Sequence, residues 1–365
     1  MLALPNFRAN RCVRYRYAYS ECNHCAEACP HEAIRLFDAG AEVLADHCRG
    51  CALCVVVCPT DALTEKSVSS DSLLKIAADK KQMTIACAPS AAKGDAIVPC
   101  LGAVNALVLA DFARRGIALQ LAGSWHCAEC AHAVRGSELI EINLAVRNIL
   151  CGVKRGDEAE WAAITMHEAE SAKPAKGSDE HAASRRHLFR RMVSHGIEAV
   201  NEAIEAPPPP PLKVIRAAAP FLPERKALLN DLYDAPIEEP VRVTRHPAIP
   251  AENWVVAQGC TNCEACVRVC PTGALQLLED NNAWRLVLLP ERCVACDACV
   301  EVCQPKVLRP RDADSVVVSK QKARLLRSVS KKRCTGCDRV FVTEEVSPVC
   351  PICITDDEDF AGIFS

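Results

Sequence analysis

The sequence CTNCEACVRVCP at residues 260–271 decides much of the fold, and CRGCALCVVVCP at residues 48–59 repeats its pattern of cysteines and proline. In both stretches two residues separate each of the first three cysteines, and three residues separate the third from the fourth. Three thiolates on such a loop can bind three irons of a cubane, while the fourth turns toward a neighbouring cluster. The two stretches therefore predict [4Fe-4S] clusters.

Two further cysteine runs complete an internal repeat. The run from Cys293 to Cys303 keeps the spacing, although Gln304 separates its last cysteine from Pro305. The run Cys22–Pro30 lacks its first cysteine, and Tyr19 stands in that position. Apolar segments between the runs of each copy predict paired strands at residues 33–36 and 42–44, and at residues 274–277 and 284–288.

The exchange of fourth ligands between neighbouring clusters predicts four sets of thiolates. The predicted sets are Cys260, Cys263, Cys266 and Cys303; Cys293, Cys296, Cys299 and Cys270; Cys12, Cys22, Cys25 and Cys58; and Cys48, Cys51, Cys54 and Cys29. On this hypothesis Cys12 replaces the ligand missing at Tyr19, and the alternatives are a three-iron cluster or a non-cysteine ligand such as His24. Structural zinc competes, since C-x2-C knuckles also bind it, but zinc does not explain two tandem eight-cysteine units.

The last four cysteines are arranged differently, as Cys334-x2-Cys337 and, twelve residues later, Cys350-Pro351-x-Cys353. Neither pair is extended by a third or fourth cysteine. Two separated pairs predict a zinc ribbon in which four thiolates fill every coordination position. Rubredoxin-like mononuclear iron is the alternative, because its cysteine pairs look similar.

The chain between Met83 and Cys151 predicts a small parallel α/β unit. Strands are expected at residues 84–86, 96–98 and 117–121. A helix between the last two strands is expected to pack through Val104, Leu107, Val108 and Phe112 and to end at Gly116. A further helix carries an apolar stripe formed by Leu139, Ile142, Val146 and Ile149.

Four cysteines follow these strands: Cys87 after the first, Cys100 after the second, and the pair Cys127-x2-Cys130 after the third. Because the carboxyl ends of parallel strands open on one edge of a sheet, we expect the four thiols to converge there. Cys151 is a further candidate. The functional hypothesis is a metal or [2Fe-2S] site, and the alternative is a group of inert buried thiols.

The segment between the two halves carries no recognisable chemistry. Residues 171–184 are typical of a solvated loop, a helix is expected at about residues 190–204, and the prolines at 207–211 predict a stiff spacer. We expect residues 212–250 to be extended or irregular.

The composition limits which cellular compartment and which partners are expected. A secreted chain with 25 cysteines would be expected to form disulfides, but the first twenty residues hold four arginines and no apolar signal core. We therefore expect a reducing, cytoplasmic compartment. The formal net charge of −3 favours neither nucleic acid nor an anionic membrane, and no apolar run approaches the about 20 residues of a membrane span. The expected partners are redox enzyme subunits, with no nucleic acid and no direct membrane insertion.

Residues 12–64 and 246–312 resemble the bacterial-type 2[4Fe-4S] ferredoxin family, which implies low-potential one-electron transfer. The stretch from Cys87 through PCLG at 99–102 to CAEC at 127–130 resembles the delta subunit of methyl-viologen-reducing hydrogenase. That second resemblance implies a [2Fe-2S] cluster and delivery of electrons to a heterodisulfide reductase.

The sequence thus predicts an α+β protein in which two dicluster ferredoxin-like units flank a small parallel α/β domain, with a C-terminal zinc ribbon. The predicted domains are ferredoxin-like units at 1–67 and 246–312, the cysteine-containing α/β domain at 68–165, a helix and Pro-rich linker at 166–245, and a zinc-ribbon-like tail at 313–365. The expected function is a non-catalytic relay of single electrons through about four [4Fe-4S] clusters. A cluster-fed thiol or disulfide reductase acting at the middle cysteines, and an iron-sulfur sensor or assembly platform, are the alternatives.

Overall fold

The computed structural model describes residues 4–153, 161–167, 214–216, 218–233, 240–280, 282–319, 321–343 and 347–354. The helix expected near residues 190–204, the solvated loop at 171–184 and the polyproline stretch at 207–211 lie outside these residues. None of the helices within them combines the length and apolar character that a membrane crossing requires.

The helices of the described residues are mostly short. In chain order they are α1 (Val13–Arg16), α2 (His24–Glu27), α3 (Leu53–Val56), α4 (Ser70–Ile76), α5 (Ala106–Arg114), α6 (Ala133–Cys151), α7 (Glu224–Leu232), α8 (Ala265–Val269) and α9 (Ala298–Glu301). The strands are β1 (Asn6–Phe7), β2 (Ile34–Phe37), β3 (Gly40–Val43), β4 (Leu63–Thr64), β5 (Gln82–Cys87), β6 (Ala96–Val98), β7 (Ala118–Ala122), β8 (Ile164–His167), β9 (Arg242–Thr244), β10 (Trp254–Val256), β11 (Leu275–Glu279), β12 (Ala283–Leu288), β13 (Leu308–Pro310), β14 (Ser315–Val317), β15 (Arg324–Arg333) and β16 (Val340–Thr343).

The middle of the chain forms the predicted parallel α/β unit. Strands β5, β6 and β7 pair in parallel, in the sheet order β6-β5-β7-β8. Helix α5 lies between β6 and β7, as predicted, and Gly116 follows it with a φ of +72°, a conformation that glycine adopts without strain. The sequence did not predict β8, which extends the sheet beyond β7.

Helix α6 forms where the sequence places it, but its buried face differs from the predicted stripe. Ile140, Asn143, Val146 and Leu150 are buried, whereas Leu139 is only half-buried. Asn143 is tolerated inside because its Nδ2 donates a hydrogen bond of 3.0 Å to the carbonyl oxygen of Gly102. The helix therefore approaches the 101–103 turn through a small and polar surface.

The two cysteine-rich regions contain the expected hairpins. Strands β2 and β3 pair antiparallel, and so do β11 and β12. The second hairpin does not stand alone, because the long strand β15 pairs with β12 and then with β16 to give the sheet β11-β12-β15-β16. Residues of the C-terminal tail are thus part of the second ferredoxin-like region.

The segment 212–250, expected to be extended or irregular, contains helix α7 and strand β9. Arg225 and Lys226 are 8% and 2% exposed, and Tyr233 donates a hydrogen bond of 2.5 Å from its hydroxyl to the carbonyl oxygen of Leu150. Leu228 and Leu229 join the core of the α/β unit. The expectation was wrong because these contacts reach residues distant in sequence, which composition does not reveal.

We predict that Gly102→Ala destabilises the α/β unit. A Cβ at this position would lie 2.4 Å from the carbonyl oxygen of Gly136, so α6 would have to move away from the 101–103 turn. Overpacking of this kind costs about 1–3 kcal/mol. The measurement is anaerobic thermal unfolding followed by visible absorbance, with the exposed substitution Glu141→Ala on the same helix as control. Equal unfolding midpoints for the two variants would contradict the prediction.

Candidate iron-sulfur and metal sites

The second cysteine-rich region gathers its eight cysteines around two cavities. Each cavity has a volume of about 20 Å³. One is lined by Cys260, Cys263, Cys266 and Cys303, and the other by Cys270, Cys293, Cys296 and Cys299. These are the two predicted sets, including the exchanged fourth cysteines. We call them the 260 group and the 293 group.

The first region brings together the two corresponding sets. Burial, and then the charges of Cys58, Cys12 and Cys25, raise the pKa of Cys22 to about 12, so these four sulfurs lie within electrostatic reach of one another. We call Cys12, Cys22, Cys25 and Cys58 the 12 group. In the same way, the pKa of Cys54 is raised by burial and by the charges of Cys51, Cys25, Cys29 and Cys48. We call Cys29, Cys48, Cys51 and Cys54 the 48 group.

Tyr19 does not take the place of a ligand. Its side chain is 57% exposed and packs edge-on against Tyr17, with ring centroids 6.0 Å apart. Cys12 instead precedes α1 at its N-cap, and its pKa is raised chiefly by burial. The sequence placed Cys12 in the 12 group by hypothesis, with a three-iron cluster or a ligand such as His24 as alternatives, because its spacing does not follow the regular run.

The loops that carry three regular runs share an unusual backbone. The residue after the second cysteine has a positive φ in each: 60° at Ala52, 61° at Glu264 and 56° at Asp297. Such conformations are disfavoured for residues with a Cβ and persist where the surrounding structure requires them. In the irregular run, where Tyr19 stands at the first position, the corresponding residue is Asn23 after Cys22, and its φ is −133°.

Hydrogen bonds also reach the sulfurs. The backbone N–H groups of Ala33 and Ala62 lie 3.3 Å from the sulfurs of Cys29 and Cys58. Cys58 and Cys270, each followed by proline and threonine, lie 3.7 Å from the hydroxyl two residues later. Donors of this type stabilise a thiolate and are a means of setting the potential of a bound cluster.

Burial makes the thiols hard to ionise. It is the largest cause of the raised pKa values of Cys266, about 12, and Cys51, about 11, and it raises those of Cys296 and Cys299 well above the usual range. Only thiolates bind metals. A positive partner inside each group is therefore required to hold the sulfurs in their ionised form.

The four cysteines of the α/β unit also converge, as predicted. They line one cavity of about 10 Å³ and comprise Cys87, Cys100, Cys127 and Cys130, which we call the 87 group. Burial first, and then the charges of Cys87, Cys51 and Cys127, raise the pKa of Cys100 to about 12. Cys151 lies at the far end of α6 and is not among the residues lining this cavity.

Two glycines keep space open beside the 87 group. A Cβ on Gly136 would lie 3.0 Å from the sulfur of Cys100, and one on Gly123 would lie 2.9 Å from the Cβ of Cys87. Four converging thiols with glycines on both sides fit a small metal centre. They fit a substrate less well, since substrate pockets usually have volumes of about 300 Å³ or more.

A histidine pair links the 87 group to the 48 group. Nε2 of His31 and Nδ1 of His132 lie 2.7 Å apart, and the sulfur of Cys51 is within 4.8 Å of the pair. His31 follows Cys29 by two residues, and the backbone N–H of His132 donates to the sulfur of Cys130 at 3.4 Å. The hydrogen-bonded histidines therefore lie between the two cysteine groups, with His31 near the 48 group and His132 near the 87 group. The sequence singled out neither the pairing nor His31.

The five cysteine groups form one series. The 87 and 48 groups are linked by the charge of Cys51 on Cys100, and the 48 and 12 groups by that of Cys25 on Cys54. Cys22 of the 12 group packs against the same apolar cluster as the 293 group. The charge of Cys266 reaches Cys299, which joins the 293 group to the 260 group. No group in the series is isolated from its neighbours.

The C-terminal cysteines form a tighter group. One ligand atom from each of Cys334, Cys337, Cys350 and Cys353 lies within 4.8 Å of the others, and the sulfurs of Cys337 and Cys350 are 3.8 Å apart. The backbone N–H of Cys350 donates to the sulfur of Cys334 at 3.2 Å, and such backbone donors lower the pKa of Cys334 to about 6. The group could hold a single metal ion.

Comparison with known proteins identifies the two cysteine-rich regions. The family described as "4Fe-4S dicluster domain" matches residues 20–71 and 259–307. A ferredoxin of Methanothermococcus thermolithotrophicus is 45% identical over 49 residues, which are 13% of this chain and 78% of the ferredoxin. The chain therefore belongs to the 4Fe-4S dicluster ferredoxin family.

A second relative is similar over a shorter part of its length. An iron-sulfur protein of Rhodospirillum rubrum is 46% identical over 43 residues, which are 12% of this chain and 23% of that protein. The chain thus spans about a quarter of this relative. The similarity supports iron-sulfur binding.

We predict that Cys12→Ser removes or degrades one cluster of the first region. Loss of one thiolate should release between about one and about four irons and abolish the EPR signal of one [4Fe-4S] cluster. Tyr19→Phe should leave both the iron content and the spectrum unchanged, because the phenol is exposed. Unchanged iron in the Cys12 variant, or iron lost in the Tyr19 variant, would show that the ligand has been assigned wrongly.

Proposed function

We propose that the protein is an electron-transfer subunit that relays single electrons between a low-potential donor and a partner oxidoreductase. The 12, 48, 260 and 293 groups would each hold one [4Fe-4S] cluster, and each bound cluster would accept and return one electron. The observation that carries the proposal is the unbroken series of cysteine groups from the α/β unit to the second ferredoxin-like region.

The chain's own residues would hold and insulate these centres. The 12 group and the 293 group share a core that includes Val13, Tyr17 and Trp254, all at most 7% exposed. An apolar surrounding excludes water and is one of the means by which a protein sets a cluster's potential. The arrangement supports transfer between the two regions of one chain rather than docking of each region to a different partner.

We propose a fifth centre, a [2Fe-2S] cluster, in the 87 group. Four thiols that line one small cavity, with two glycines beside it, support a small cluster. The resemblance of this stretch to the delta subunit of methyl-viologen-reducing hydrogenase supports the same assignment. The small cavity argues against the alternative of thiol or disulfide chemistry on a substrate at these cysteines.

The C-terminal group would hold zinc in a structural role. A tetrahedral site with zinc–sulfur bonds of about 2.3 Å separates its sulfurs by about 3.8 Å, and the sulfurs of Cys337 and Cys350 are 3.8 Å apart. Four thiolates would leave no position for a substrate. Bound zinc would hold the end of β15 against β16, and so brace the sheet that also contains β11 and β12.

The partner would meet the chain at the ends of the series. At one end Cys263 of the 260 group is exposed. At the other end Cys127 and Cys130 are half-buried, and the nearby side chains of Trp125 and Val134 are 41% and 80% exposed. Redox partners commonly associate through small, transient interfaces, for which such limited surfaces suffice. A reducing, cytoplasmic compartment would suit free thiols and clusters.

We predict about sixteen irons in four cubanes, about two more irons in the 87 group, and one zinc per chain. The test is an anaerobic count of iron, sulfide and zinc on the intact chain, combined with EPR of the dithionite-reduced form. The double variant Cys100→Ser, Cys127→Ser should lose about two irons and a [2Fe-2S] signal, and retain every [4Fe-4S] signal. Cys151→Ser serves as the matched control and should lose nothing.

Two results would contradict the proposal in different ways. An iron content far below that of four cubanes, with zinc bound in place of iron, would show that the protein is not an electron relay. If the wild type holds four cubanes and the double variant loses no iron, the protein is a four-cluster relay. The 87 group then has a structural role or carries out thiol chemistry.

A further inference from the structure

A buried arginine from the first ferredoxin-like region lies beside the 293 group of the second. Arg16, the last residue of α1, is 1% exposed. Its Nε donates to the carbonyl oxygen of Asn10, Nη1 to that of Ala218, and Nη2 to those of Ala219 and Pro271, at 2.9–3.5 Å. Within the described residues no carboxylate forms an ion pair with it. The guanidinium is hydrogen-bonded but keeps its full charge.

This charge faces the sulfurs of the 293 group. Pro271, whose carbonyl Arg16 binds, directly follows Cys270 and lines the cavity of the group. Burial lowers the pKa of Arg16, and the negative charges of Cys270 and Cys296 are among those that oppose this shift. A guanidinium stays protonated throughout the ordinary pH range. The 293 group therefore has a permanent positive neighbour in a medium that screens charge poorly.

A second buried cation lies near the same group, on a helix that contacts the residues just before Cys293: Nδ2 of Asn230 in α7 donates to the carbonyl oxygen of Glu291 at 2.9 Å. Lys226 of α7 is 2% exposed, and its Nζ donates to the carbonyl oxygen of Pro250 at 3.0 Å. Burial lowers the pKa of Lys226 to about 8, and the negative charges of Cys293 and Glu291 oppose this shift. Lys226 is therefore cationic at pH 7. No ion pair to a described carboxylate neutralises it.

In the described part of the chain, the other groups lack a buried cation without a carboxylate partner. Arg225, 8% exposed, donates to the carbonyl oxygen of Val56 between Cys54 and Cys58, but Asp61 lies 3.5 Å from it. Arg14, beside the 12 group, is only half-buried and donates to the carbonyl oxygens of Phe37 and Cys22. Arg268, near the 260 group, has a side chain that is 62% exposed and lies 3.7 Å from Glu264. Water screens the charges of Arg14 and Arg268, and Glu264 also offsets that of Arg268.

We propose that Arg16 and Lys226 raise the reduction potential of the cluster held by the 293 group, and so draw electrons toward the junction of the two ferredoxin-like regions. One-electron reduction adds one negative charge to the site, makes and breaks no bond, and takes its electron from a low-potential donor. A fixed positive charge stabilises the more negative, reduced state. The inference rests on the proposed function, since it needs a [4Fe-4S] cluster at this site.

The test is an EPR-monitored redox titration of the intact protein at about pH 7, with dithionite as reductant. Arg16→Gln should lower the equilibrium constant for reduction of one cluster at least tenfold, which for one electron is a shift of about 59 mV to lower reduction potential. Lys226→Met should lower the potential of the same transition. Arg16→Lys, which retains the charge, should shift it much less, and Arg268→Gln should leave every transition near its wild-type potential.

The outcomes separate this inference from the proposed function. Wild-type protein without [4Fe-4S] signals would overturn both. Three results would overturn the inference alone. The first is full iron content with no shifted reduction potential in Arg16→Gln, and the second is an equal shift in Arg16→Lys. The third is that Arg16→Gln and Lys226→Met shift the potentials of different clusters. If Arg16→Gln loses iron, Lys226→Met still decides, because Lys226 bonds to the carbonyl of Pro250 and shares no hydrogen-bond partner with Arg16.

Discussion

The structure depends on the requirement that buried sulfur be ionised. Burial opposes ionisation of Cys22, Cys266 and Cys296, and the backbone hydrogen bonds to these sulfurs only partly offset it, so that the pKa of each thiol stays raised. Iron would supply a compensating positive charge, so that metal binding and folding are linked in the ferredoxin-like regions. With aromatic residues at only 4%, few large side chains are available to replace the clusters as the centre of each core.

The two ferredoxin-like regions are joined through the chain elements that surround the clusters. Helix α1 and the residue after it place Val13 and Tyr17 in the core of the second region, and the buried Arg16 donates to the carbonyls of Asn10 in the first region and Pro271 in the second. On the other side of the first region, Cys51 and Leu53 belong to the core of the α/β unit. The same contacts that stabilise the molecule thus bring neighbouring cysteine groups together.

Local pattern was sufficient to predict the hairpins, the parallel strands β5 to β7 and the positions of α5 and α6, because periodicity and spacing act over a few residues. It was insufficient to predict which face of α6 is buried, because Asn143 lies on that face and is stabilised there by a hydrogen bond to Gly102. Strand β8, helix α7 and the His31–His132 pair depend on partners far away in sequence. Three of the ferredoxin-like cysteine quartets followed from a spacing rule, the one with Cys12 needed an added hypothesis, and their order as a series required the tertiary structure.

The most direct test of the account is pulsed EPR of dipolar coupling between the clusters in the fully reduced, intact chain. A single relay requires coupling between the two clusters of each ferredoxin-like region and also between the clusters of the 12 and 293 groups, and Cys12→Ser should abolish the latter coupling. Coupling confined to the pair within each region, unchanged in that variant, would show that the two regions are separate centres and would contradict a single relay.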